Sequence, residues 1–146
     1  MKPAQPPTLA LAQILREMQA DHAGYARLRE LLEAQFHAAL RHGTQQLLDL
    51  AEEITHLVME LEGRRATRGQ LLGQLLSSSE EAPTLAQLCK RLPAQAGKAL
   101  GQTWQTLEQQ ILECKQLNLR NCRLITEQHA LMQRVLGVEG QVYAER

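Results

Sequence analysis

The chain predicts an all-α fold, an antiparallel bundle of three long helices and one short helix with coiled-coil-like packing. Three observations lead there. Leucine, alanine, glutamine and arginine dominate, and aromatics make up only 3% of the 146 residues; unbranched side chains lose little rotamer freedom in a helix. Apolar residues recur three and four apart over many turns, which is the period of a helix face. Turn-forming residues are confined to a few short stretches between those periodic segments. At this length the chain makes one domain with room for a core.

Pro3, Pro6 and Pro7 keep residues 1–8 extended and disordered, and Thr8 is the expected N-cap. The first helix is expected over 9–41, with Leu11, Leu15, Met18, His22, Tyr25, Leu28, Leu32, Phe36 and Leu40 on one stripe. His22 on that stripe reads as a satisfied core histidine. Gly43 then supplies a C′ stop and Thr44 a fresh N-cap, so the second helix returns antiparallel over 44–76. Its stripe, Leu47, Leu50, Ile54, Leu57, Leu61, Leu71 and Leu75, is interrupted by Arg64, Arg65 and Arg68. Beside Glu60 and Glu62 these arginines read as a solvated face. Residues 77–83, with three serines and a proline, form a linker. Thr84 and Gln87 make a capping-box pattern that opens a short helix over 85–92, which Pro93 ends. The last helix is expected over 94–136, with Gly137 as its C′ residue. The single domain then covers 9–137, and 138–146 is a flexible tail carrying Tyr143.

Charge and composition exclude several classes. Sixteen basic and sixteen acidic residues give no net charge, hence no overall attraction to nucleic acid or an anionic surface. No run of about 20 apolar residues exists to insert in a membrane. Residues 1–8 lack the apolar segment of a secretory signal. Cys89, Cys114 and Cys122 are odd in number and share no ligand spacing, which fits reduced thiols in the cytoplasm. Glu53-Ile54-Thr55-His56 has the Glu-x-x-His spacing of di-iron bundles, but such a site needs a second copy and the chain has none. With no phosphate loop, zinc pair or nucleophile elbow, the sequence points away from an enzyme and calls for no cofactor or metal.

The most informative segment lies in the last helix. Ile111, Cys114, Asn118, Asn121, Ile125, Gln128, Met132 and Val135 fall alternately three and four residues apart, a heptad seam with a polar middle. Leu117, Leu124 and Leu131 form a parallel row beside it. Two asparagines and a glutamine in a seam are costly to bury without partners. Two readings follow. The face is filled by the chain's own first two helices, with the asparagines fixing register; or part of it is vacant and takes a partner's amphipathic helix. A structural coiled-coil scaffold that self-associates through the same helix is the competing function.

Three stretches together resemble the FlgN family. Arg41-His42-Gly43-Thr44 leads into an acidic-leucine helix at 47–53; residues 57–72 are leucine-rich with the pair Arg64 and Arg65. The specific stretch is Leu117-Asn118-Leu119-Arg120-Asn121-Cys122-Arg123-Leu124-Ile125, similar to the family's Leu-Asn-x-x-Asn-x-x-Leu-Ile signature, with Cys122 where many relatives have glycine. The likeness extends over about residues 10–136. It implies a cytosolic flagellar export chaperone that binds the C-terminal helices of the hook-associated proteins FlgK and FlgL, prevents premature assembly, and delivers them to the type III export gate. It places client binding on 111–135, and it implies a contact of Tyr143 with the gate.

Overall fold

Four helices follow one another in the computed structural model: α1 (Pro7–Leu40), α2 (Thr44–Leu75), α3 (Leu85–Arg91) and α4 (Ala94–Ala144). The structure describes the backbone of residues 7–76 and 84–144, and the side chains of 9–76 and 84–137. No strand occurs among the described residues. The expected linker at 77–83 lies outside them.

Helix α1 begins at Pro7, ahead of the expected cap at Thr8. A proline suits a first helical position, where its missing N–H has no intrahelical partner to lose. The buried stripe of α1 includes Ala10, Ile14, Met18, Asp21, Leu28, Leu31, Leu32, Ala38 and Ala39, while Leu15 and Leu40, expected on it, are exposed. His22 falls off that stripe and is exposed, correcting its reading as a core residue; its Nδ1 pairs with Oε1 of Gln110 at 3.0 Å.

The turn between α1 and α2 also differs from expectation. The left-handed residue is His42 (φ 56°), and Gly43 is the N-cap of α2 with φ −78°. Gly43 N–H donates to the Ala38 carbonyl at 2.9 Å, and His42 N–H to that of Ala39 at 3.1 Å. Those two bonds form a Schellman motif with histidine, not glycine, at C′. Thr44 is the first helical residue, and no side chain caps α2. At α3 the capping box forms: Thr84 Oγ1 accepts from Gln87 N–H, and Gln87 Oε1 from Thr84 N–H, each at 3.2 Å. Leu92 is extended (ψ 158°), as its position before Pro93 requires.

Helices α2 and α4 both pack along α1 and meet each other only through side chains, Arg68 against Trp104 among them; among the described residues no Cα of one lies within 8 Å of a Cα of the other. Helix α1 is therefore the shared partner. It runs antiparallel to α2 and parallel to α4. The second relation follows from cross-contacts whose sequence separation stays constant, Cys114–Tyr25, Asn121–Leu32 and Gln128–Ala39, each 89 residues apart. Helix α3 packs on α4 and touches α2. At that end Ala10, Ile14, Met18, Leu71, Leu72, Leu85, Leu88, Leu100 and Leu107 make the main core. Close approach there needs Gly97, where a Cβ would lie 2.4 Å from the Cys89 carbonyl oxygen.

The arginine cluster is not a solvated face. Asp21, 1% exposed, pairs with Arg64 (Nε–Oδ1 2.6 Å) and Arg68 (Nη1–Oδ2 2.5 Å). Arg68 is buried and lies 5.9 Å from the centroid of the Trp104 ring. Arg65 alone stays outside, beside Glu62. A charged residue inside one stripe of a hairpin was met by charges inside the other, because burial without a counterion is prohibitive.

Candidate functional site

The seam of α4 divides into two columns. Cys114, Asn121 and Gln128 recur every seven residues and face α1. Each donates a side-chain hydrogen bond to an α1 carbonyl: Cys114 Sγ to Tyr25 at 3.6 Å, Asn121 Nδ2 to Leu32 at 2.7 Å, Gln128 Nε2 to Ala39 at 3.0 Å. The accepting residues are themselves seven apart, so the two parallel helices keep one register throughout. Gln128 reaches the Ala39 carbonyl in the last turn of α1, which also accepts the His42 N–H of the turn at 3.1 Å.

Asn121 is the centre of this column and is 0% exposed. Its second amide hydrogen goes to Gln35 Oε1 at 2.9 Å, and its Oδ1 accepts from Arg120 Nε and Nη2, each at 3.2 Å. Arg120 in turn stacks 3.8 Å from the centroid of Phe36 and pairs with Glu33 at 3.2 Å. Every polar atom of the amide is used inside the molecule. Nothing in the heptad pattern marked Arg120, since it lies off the seam.

The other column is Ile111, Asn118, Ile125 and Met132. Ile111 and Asn118 line a cleft of about 580 Å³ between α2 and α4, floored by Tyr25, Leu28 and Leu32. Asn118 is exposed, its Oδ1 meeting Cys122 Sγ at 3.9 Å. Leu117 packs against the cluster formed by Leu28, Leu32, Leu61 and Cys114, and Leu124 is half-buried. Burial raises the Cys114 thiol above its ordinary pKa, with the charge of Glu113 adding to it, so this thiol is protected. Desolvation likewise raises Tyr25, with Asp21 contributing.

Beyond Gln128 the support ends, because α1 stops at Leu40. Helix α4 continues to Ala144, through the expected stop at Gly137. No glycine among the described residues has positive φ, so Gly137 does not take the conformation that a C′ stop uses. A glycine inside a helix costs only about 1 kcal/mol against alanine, which does not by itself end one. Leu131 (58% exposed), Met132 (58%), Val135 (48%) and Leu136 (54%) stand on this overhang with Ile125 at its base. Tyr143 falls in the last turn of α4, and its side chain lies outside the described residues.

Among the described residues no group of three or more His, Cys, Asp or Glu could hold a metal ion, and no helix is long and apolar enough to cross a membrane. The fold is that of an all-α helical bundle in which one amphipathic helix runs past its own support. The chain itself belongs to the FlgN family, whose description, FlgN protein, matches residues 1–138. That family comprises flagellar export chaperones and not enzymes. Neither a curated protein nor a solved structure matches the chain.

Proposed function

We propose that this flagellar export chaperone works in the cytoplasm. There it holds the C-terminal helical segments of the hook-associated proteins FlgK and FlgL on the α4 overhang and delivers them to the type III export gate. The observation that carries this reading is the exposed row Leu131, Met132, Val135 and Leu136, which continues the heptad seam past the end of α1. In the buried part the same seam is covered by a parallel helix of this chain. An amphipathic client helix supplies equivalent cover where α1 has run out. Cys114 and Asn121, expected among the client-binding residues, are satisfied internally and act by holding α4 in register. Ile125, Leu131, Met132 and Val135 make the contact, and Tyr143 faces the gate after docking.

Calorimetric titration with C-terminal peptides of FlgK and FlgL tests this. Each buried leucine-sized side chain is worth about 1.5–3 kcal/mol, and 1.4 kcal/mol is about a tenfold change in affinity. Leu131→Asp with Val135→Asp is therefore expected to weaken binding more than tenfold while leaving helicity unchanged. Undiminished affinity in that variant refutes the assignment. Light scattering separates the scaffold reading, which requires a tight homodimer indifferent to the peptide.

A further inference from the structure

Viewed down its axis the bundle has four corners, three of them held by α1, α2 and α4. The fourth, between α2 and α4 and diagonal to α1, is filled at one end only. There α3 packs on α4 and touches α2, burying Leu85 and Leu88. Past the level of Trp104 this corner is open. It forms the cleft of about 580 Å³, whose wall on α4 runs from Trp104 to Asn118, about 21 Å or four helical turns. Its floor is apolar, and Val58 on one wall and Leu112 on the other are exposed.

We infer that this open corner seats an amphipathic helix of the exported client, end to end with α3 and continuous with the overhang. Helix α3 demonstrates that the corner accepts a helix lying between α2 and α4. The column Ile111, Asn118, Ile125, Met132 runs from the cleft wall onto the overhang at one heptad spacing, so one client helix follows it without a break in register. The rim adds a chemical criterion. Glu108 and Lys115, one heptad apart on α4, line the cleft, and neither has a partner among the described residues. They fit an occupant whose flank carries a basic and an acidic residue at the same spacing. The inference rests on the chaperone reading above and extends the docking surface to the bundle's midsection.

Trp104, the only tryptophan of the chain, lines the cleft and lies about 40 Å along α4 from Leu131. It reports occupancy of the corner without sensing the overhang. The intact protein is titrated with a C-terminal FlgK peptide by calorimetry and by tryptophan emission, alongside Val58→Glu and Leu112→Glu, whose side chains are exposed enough to leave the fold intact. The expected result is an emission change with the calorimetric midpoint and affinity weakened at least tenfold in each variant. Calorimetric binding with unchanged emission and unchanged affinity in both variants overturns the corner as a seat. The overhang reading then survives if Leu131→Asp with Val135→Asp still abolishes binding. No binding by calorimetry overturns both. An emission change on concentrating the protein without peptide assigns the corner to a second copy and overturns the client as its occupant.

Discussion

Replacing Asn121 by leucine separates a structural amide from a recognition amide. The substitution keeps the number and branching of side-chain heavy atoms and removes both donors and the acceptor. The Leu32 carbonyl and Gln35 Oε1 lose bonds of 2.7 and 2.9 Å, and Arg120 loses the oxygen it grips at 3.2 Å. Leaving buried partners unpaired costs about 1–3 kcal/mol. Part of this is offset, because the half-buried Gln35 can turn toward water and Arg120 keeps Glu33 and Phe36. Burial of the leucine methyls offsets a further part. The expected net loss is about 1–2 kcal/mol, a fall in Tm of roughly 3–8 °C for a domain of this size. Urea denaturation followed by circular dichroism measures the loss, and titration with a hook-associated-protein peptide measures binding. Affinity should change less than twofold, since no atom of Asn121 reaches the surface. Unchanged or increased stability together with lost binding would refute the internal role and hand the amide to the client.

Other expectations follow from the same packing. Asp21→Asn leaves the Arg64 and Arg68 charges without their carboxylate and should cost about 3 kcal/mol; chemical denaturation measures it, and a neutral result would mean that the arginines escape to solvent. His42→Gly relieves a left-handed residue and should stabilise by about 1 kcal/mol, net of glycine's greater freedom in the unfolded chain; a fall in Tm would count against strain at His42. At pH 8 an aromatic disulfide reagent should label exposed Cys122 promptly and Cys114 only after denaturant is added. Because the folded Cys114 thiol holds its proton to higher pH, its contribution to stability is present below the ordinary thiol pKa and is lost as pH rises through the raised one.

Much of the fold was legible because it is periodic. Stripes of leucine every three to four residues, the Thr84–Gln87 box and Pro93 each act within a few residues of chain, and local rules suffice for them. The turn at 41–44 was legible as a turn but not in detail. Gly43 was the expected left-handed residue, and the bonds to Ala38 and Ala39 instead place His42 there. The link from Asp21 to Arg64 and Arg68 left a faint trace: Asp21 and Arg64 lie nearly equidistant from that turn, where an antiparallel hairpin brings them level. Solvated charges and buried ones have the same letters, so spacing on one helix could not distinguish them.

The sequence by itself determined an all-α chain, the heptad seam on its last helix and the resemblance to its family. These depend on propensity and period, which are properties of neighbouring residues. Only the tertiary structure decided which seam residues are spent inside. Asn121 and Gln128 meet α1 carbonyls because α1 and α4 run parallel in register, and Met132 and Val135 are free because α1 ends at Leu40 while α4 goes on. Burial depends on where two helices of unequal length stop beside each other, and no single helix encodes that.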